Sequence, residues 1–76
     1  MSAADKPKFN QTQVKIIKHL KRNTYQTADQ IAQALGITPR KVIEQIYTLH
    51  FWGIVRVEVE GETRFSLTLH GEEYTP

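Results

Sequence analysis

Apolar residues recur with helical spacing in the first two thirds of the chain and with strict alternation in the last third. The first helical stretch begins near Asn10 and ends near residue 23. Its apolar face consists of Val14, Ile17 and Leu20, with Ile16 beside them, and its opposite face consists of Lys15, Lys18 and Arg22, with Lys21 nearby. This division predicts an amphipathic helix of about three turns that packs against a core.

Two further helices are predicted by the same spacing. The second lies between residues 27 and 36, and the third runs from residue 38 to residue 51 or 52. Gly36 and Gly53 are expected to end them, because glycine readily takes the left-handed conformation found just after helices. The expected buried stripes are Ile31, Ala32 and Leu35 in the second helix and Val42, Ile46 and Leu49 in the third.

The residues at the predicted helix starts have side chains suited to capping backbone amides. Asn10 with Gln13, and Thr27 with Gln30, have the spacing of a capping box. Pro39 follows Thr38 at the first position of the third helix, where an N–H would have no intrahelical partner. Each helix start therefore has a local chemical cause.

After Gly53 the apolar period changes to two, which predicts an antiparallel hairpin with a turn near residues 60–63. The inward-facing residues are expected to be Val55, Val57 and Val59 in one strand and Phe65, Leu67 and Leu69 in the other. Tyr25 is expected to pack beneath the second helix or to form a strand of one or two residues. Residues 71–76 form a short tail with room for one helical turn.

The 76 residues allow one domain. Residues 1–9 are interpreted as a flexible arm and residues 10–76 as the folded domain. The chain has no cysteine, and His19, His50 and His70 lack ligand spacing, so no metal or other cofactor is expected. No catalytic constellation is present, so we do not expect an enzyme. Without a signal-peptide core or a long apolar run, a cytoplasmic protein with no membrane contact is expected.

The net charge of +2 is distributed unevenly. Residues 1–41 carry eight basic and two acidic side chains, and residues 42–76 carry two basic and six acidic ones. A basic half favours an anionic partner, and nucleic acid is the usual one. The same pattern is also compatible with a mixed, solvated surface.

The chain resembles the winged helix-turn-helix superfamily over residues 10–74, an α+β fold with a three-helix bundle and a two-stranded hairpin wing. The residues that carry the resemblance are Ile16, Ile17, Leu20, Ile31, Ala32, Leu35, Gly36, Ile37, Val42, Ile46, Leu49, Gly53, Ile54 and Val55. Phe65 to Thr68 with Gly71 are similar to the wing ending of MarR-like and PadR-like regulators. Winged helices that read Z-form nucleic acid have an asparagine where Ile43 stands, and their wing carries proline and tryptophan, so that assignment is rejected although Tyr47 fits.

The resemblance implies a transcriptional regulator, acting as a homodimer, that places its third helix in the major groove of double-stranded DNA. The candidate base-reading residues are Arg40, Lys41, Glu44, Gln45 and Thr48. The candidate phosphate contacts are Thr27, Thr38, Lys15, Lys18, Arg22, Arg56 and Arg64. Exposed helix formers without a partner are the alternative interpretation of these residues, and RNA or single-strand binding through the first helix is a further one.

Two features favour a protein partner instead. The third helix carries a second apolar stripe, formed by Ile43, Tyr47 and Phe51 with Trp52, which indicates a protein interface unless Tyr47 and Trp52 belong to the core. The hairpin tip is Glu60-Gly61-Glu62, which repels phosphate. Arg56 and Arg64 would offset these charges unless they pair with Glu58 and Glu62 across the strands. The alternative function is therefore an adaptor or host-factor-binding module.

Overall fold

The computed structural model describes residues 8–74, so the predicted arm lies mostly outside the described residues. The elements are α1 (Gln11–Arg22), α2 (Ala28–Leu35), α3 (Pro39–Phe51), β1 (Val55–Glu60), β2 (Glu62–Leu67) and α4 (Leu69–Glu73). Three helices followed by an antiparallel hairpin confirm the predicted order. The short α4 overlaps the predicted tail, which was expected to have room for one helical turn, but it begins two residues before that tail, at Leu69.

Both predicted capping boxes are present. Asn10 accepts the amide of Gln13 at 2.8 Å, and the Gln13 side chain accepts the amide of Asn10 at 2.9 Å. Thr27 and Gln30 make the same reciprocal pair at 3.2 and 2.9 Å. These bonds satisfy amides that a helix leaves without partners, so the short helices begin at sharply defined positions.

Glycine ends α2 and follows α3, as the sequence predicts. Gly36 has φ 71° and Gly53 has φ 74°, values that side-chain-bearing residues rarely adopt. Gly53 donates to the His50 carbonyl, and Ile54 donates to the Leu49 carbonyl. The chain therefore turns directly from the end of α3 into β1.

The core lies between the three helices and the base of the hairpin. The α3 stripe of Val42, Ile46 and Leu49 is buried, as predicted. The other buried apolar residues are Ile16, Ile17 and Leu20 of α1, Ile31 and Ala32 of α2, and Ile54, Val55, Phe65 and Leu67 of the hairpin region. Burial of α3 along one stripe fixes which of its side chains face the solvent.

Three of the residues expected to face inward from the hairpin, Val57, Val59 and Leu69, do not reach the core. Val57 is 40% exposed. Val59 is 71% exposed because the distal half of the hairpin extends beyond the helices. Leu69 is 84% exposed because β2 ends at Leu67 and Thr68 caps α4, accepting the Gly71 amide at 3.0 Å. The strand conformation therefore ends before Leu69, and the alternation of inward and outward side chains in β2 does not extend to this residue.

Within residues 8–74, one isolated β-bridge pairs the hairpin with the segment before α2. Gln26, rather than Tyr25, pairs with Phe65, and the two residues exchange backbone hydrogen bonds of 3.0 and 2.8 Å. Tyr25 precedes the bridge with φ 58° and is partly exposed. The expected strand is therefore one residue long and lies one position later in the chain.

Candidate nucleic-acid interface

The solvent-facing side of α3 carries most of the residues predicted to read bases. Arg40, Lys41, Glu44 and Thr48 are exposed, and they lie on the opposite side of the helix from the buried stripe. Gln45 differs, because it is half-buried and its Oε1 atom accepts from Asn10 Nδ2 at 3.1 Å. Gln45 thus links α3 to the start of α1, a contact that local sequence patterns do not reveal.

The two helix starts predicted to contact phosphate differ in charge. Thr38 caps α3 by accepting the Lys41 amide at 3.2 Å, and no acidic residue lies in the first turn of that helix. Thr27 caps α2, whose first turn contains Asp29. Since a carboxylate opposes an incoming phosphate, the start of α3 is electrostatically better suited to an anion than the start of α2.

The basic residues of α1 lie on a different surface. Lys15, Lys18 and Arg22 are exposed, while the opposite side of α1 packs into the core and against α3. Lys21, the fourth basic residue of this helix, donates to the Tyr74 carbonyl at 2.5 Å. The exposed basic face of α1 therefore points away from α3.

The hairpin arginines form ion pairs along their own strands. Arg56 lies 3.3 Å from Glu58, and Arg64 lies 2.9 Å from Glu62. Glu58 and Glu62 are the partners that the sequence offered as an alternative, but the pairs run along each strand and not across the strands. Residues two apart on one strand share a face, and the residue directly opposite Arg56 is Ser66, which has no carboxylate. Arg64 also donates to the Tyr25 carbonyl at 3.0 Å, so it anchors the hairpin to the segment before α2.

The predicted apolar stripe of α3 divides into two parts, and neither Tyr47 nor Trp52 is core. Ile43 and Tyr47 line a cleft of about 450 Å³ between α3 and the hairpin. Phe51 is 79% exposed and packs edge-to-face on Trp52, with ring centroids 5.6 Å apart. The remaining cleft residues are Ala28, Ile46, His50, Val57, Thr63 and Phe65.

The sequence predicted the apolar residues of α3 that form one wall of this cleft. It did not predict that the hairpin forms the other wall. Val57 and Phe65 were expected to face inward, and their cross-strand pairing puts both on the face that lines the cleft. His50 also lines it, with Nδ1 hydrogen-bonded to the Val55 carbonyl at 2.9 Å. The alternation of the two strands was the available signal, but it did not show which helix the hairpin would face.

Residues 8–74 were compared with the requirements of a metal site and of a membrane-spanning helix. No three histidine, aspartate or glutamate side chains in this range are grouped as a metal ion requires. No helix of the same range is both long enough and apolar enough to cross a membrane.

Comparison with known proteins identifies the architecture. No protein-family model matches the chain, and no curated protein sequence matches it. Among solved structures, a variant of Lactococcus lactis ZitR aligns with TM-score 0.81 and 21% identity over 95% of this chain. Staphylococcus aureus MepR, a transcription regulator of the multidrug efflux pump MepA, aligns with TM-score 0.80 and 20% identity over 86% of this chain.

The fold is a winged helix-turn-helix. In this winged helix α2 and α3 form the helix-turn-helix and the β1–β2 hairpin is the wing. The chain spans about half the length of the two bacterial proteins, since the alignments cover 51% of each. The Zα domain of zebrafish PKZ is also similar, with TM-score 0.70, 23% identity and coverage of 72% of this chain and 88% of that domain.

Proposed function

We propose that this chain is a small DNA-binding transcriptional regulator that places α3 in the major groove of duplex DNA. The observation that carries the proposal is the exposure of Arg40, Lys41 and Thr48 on the side of α3 opposite its buried stripe. An α-helix fits the major groove, and an arginine there can bind the O6 and N7 atoms of guanine. A solved structure of MepR in complex with DNA is among the similar folds.

Electrostatics favour the start of α3 as the centre of the contact. Arg40 and Lys41 lie in the first turn of this helix, next to the Thr38 cap. The helix start also carries a partial positive charge from its aligned peptide dipoles, which attracts phosphate. The hairpin contributes little attraction, because Arg56 and Arg64 are paired with carboxylates and the exposed tip carries Glu60 and Glu62.

We further propose that two copies act together on DNA. One winged helix covers a short site and discriminates weakly between sequences, whereas a symmetric pair reads two half-sites about one helical turn apart. Selected DNA sites are therefore expected to be inverted repeats.

The test is binding of fluorescently labelled random-sequence duplex, followed by selection of a preferred site. We expect the affinity to fall by orders of magnitude between about 50 and 200 mM salt, because released counterions dominate such binding. Arg40→Ala is expected to reduce the preference for the selected site over random duplex by about tenfold or more. Arg22→Ala removes the same charge from α1 and is the matched control. Wild-type selectivity of Arg40→Ala would contradict the placement of α3.

A protein-binding module is the second candidate, and the exposed apolar residues of α3 favour it. Tyr47 is 71% exposed, and the edge-to-face pair of Phe51 and Trp52 lies on the surface near the end of α3. Large exposed aromatic side chains are typical anchors of protein interfaces. Absence of any duplex binding at low salt, together with a folded Tyr47→Ala variant that loses a protein retained by the parent, would favour this function over DNA binding.

A further inference from the structure

The outer edge of β1 has backbone groups that the hairpin does not use. Phe65 exchanges both of its backbone hydrogen bonds with Gln26, so its N–H and C=O point away from β1. In an antiparallel ladder, the residue opposite such a position also directs its backbone groups away from the partner strand. Val57 lies opposite Phe65, so its N–H and C=O point to the open edge.

The same geometry holds for every second residue of β1. The backbone groups of Val55 and Val59 have the same orientation as those of Val57. In agreement with this, the Val55 carbonyl oxygen is hydrogen-bonded to His50 Nδ1 at 2.9 Å and not to β2. That bond protects the base of the strand. Further along the strand, Val57 and Val59 have exposed side chains as well as outward backbone groups.

We propose that this edge pairs with the same edge of a second copy of the chain, forming a four-stranded antiparallel sheet across a two-fold axis. Unpaired edges with apolar side chains readily add another strand, and natural proteins usually block them with charge or proline. Here the outward positions after Val55 are both valine. The proposed contact goes beyond the DNA contact and uses none of the exposed polar residues of α3.

The hydrogen-bonding groups select one register. If Val57 faced Val57 of the second copy, Val59 of that copy would compete with His50 for the Val55 carbonyl. If Val57 faces Val59 of the second copy, the free N–H and C=O groups of both valines are satisfied in both copies by four hydrogen bonds. A shift of one residue from either register would place each valine opposite a charged residue. Charged side chains would then lie on the valine face of the sheet.

Charge on the opposite face of the sheet supports a second copy as the occupant. In the register with Val57 opposite Val59, Arg56 of each copy lies opposite Glu60 of the other, which gives two complementary pairs. Glu58 lies on the axis opposite its own counterpart, a repulsion reduced by the Arg56 guanidinium 3.3 Å away. An unrelated strand would match this pattern of valine, arginine and glutamate only by chance.

The test is sedimentation equilibrium of the full chain without DNA. A contact limited to one strand edge is smaller than a standard interface, so we expect a weak dimer with Kd between about 10 and 500 µM. Arg56→Glu places glutamate opposite Glu60 twice and is expected to weaken dimerisation by about tenfold or more. Arg56→Glu with Glu60→Arg restores the pairs and the dimer, whereas Glu58→Gln tightens it.

A backbone variant tests the same edge independently of charge. Val57→Pro deletes an N–H that has no acceptor among residues 8–74, so circular dichroism is expected to show a folded protein that no longer dimerises. A parent that stays monomeric at about 1 mM, or an Arg56→Glu variant that dimerises like the parent, overturns the proposal. Loss of dimerisation by Val57→Pro, with unchanged duplex affinity per monomer, would separate this edge from the DNA contact.

Discussion

Gly71 of α4 lies directly against the backbone carbonyl of Ile54. A Cβ atom added at Gly71 would overlap the Ile54 carbonyl oxygen and would lie 3.1 Å from the carbonyl carbon. The same carbonyl accepts the amide of Thr68 at 3.0 Å, so it is held in place by the cap of α4. The close approach of these two residues holds α4 against the segment between α3 and the hairpin.

Gly71→Ala is expected to lower the free energy of unfolding by about 2 kcal/mol or more, because a methyl group must displace rigid backbone rather than a flexible side chain. Urea denaturation followed by circular dichroism measures the change. Glu72→Ala, at an exposed position of the same helix, is the control and is expected to stay within about 0.5 kcal/mol of the parent. Equal stability of both variants would show that α4 is not packed as described.

Thr27→Ala tests the cap of α2. The Thr27 hydroxyl oxygen accepts the Gln30 amide at 3.2 Å, and its loss is expected to cost about 1 kcal/mol. Thr27→Ser keeps the accepting oxygen and should retain most of the stability. A serine variant as unstable as the alanine variant would show that the methyl group of Thr27, and not its hydrogen bond, supports the helix start.

Gln45→Ala distinguishes a base-reading residue from a structural one. The Gln45 side chain already accepts from Asn10, so contact with adenine would require that bond to break. We expect the variant to lose less selectivity for the selected DNA site than Arg40→Ala loses. Binding measurements on the selected and random duplexes provide the comparison, and a larger loss for Gln45→Ala would show that the residue leaves Asn10 on DNA.

Lys41→Ala and Lys18→Ala form a matched pair for the position of phosphate contacts. Each removes one exposed lysine, from the start of α3 and from the basic face of α1 respectively. Lys41→Ala is expected to weaken binding to all duplexes and to reduce the salt slope by about one. Because the basic face of α1 points away from α3, we expect Lys18→Ala to leave the slope unchanged. A reduced slope for Lys18→Ala would support the sequence-based prediction that α1 contacts phosphate.

Tyr47→Ala tests the cleft between α3 and the hairpin. Since Tyr47 is 71% exposed, its truncation is expected to change the free energy of unfolding by less than about 1 kcal/mol. Ile46→Ala, at a buried position beside it, is expected to cost about 2–5 kcal/mol. If Tyr47→Ala proves as destabilising as Ile46→Ala, the side chain is part of the core, and the proposed interface loses its anchor.

The positions of the candidate base-reading residues of α3 were predictable from the sequence only in part. Exposure of Arg40 and Lys41 followed from helical periodicity, once Val42 and Ile46 were recognised as core. The engagement of Gln45 by Asn10 did not follow, because the two residues are 35 positions apart and meet only when α1 packs on α3. The ion-pair partners of Arg56 and Arg64 were among the sequence-based alternatives, but their placement along each strand was not, since it depends on the strand register.

The sequence by itself determined the order and ends of the first three helices, the capping boxes and the inward stripe of α3. These features depend on residues three or four positions apart, and their physical causes are local hydrogen bonds and periodic burial. Tertiary structure decided the bridge of Gln26 to Phe65, the cleft beside Tyr47 and the open edge of β1. Each of these depends on how separate elements pack together, and packing is set by the shape of the whole core rather than by any one segment.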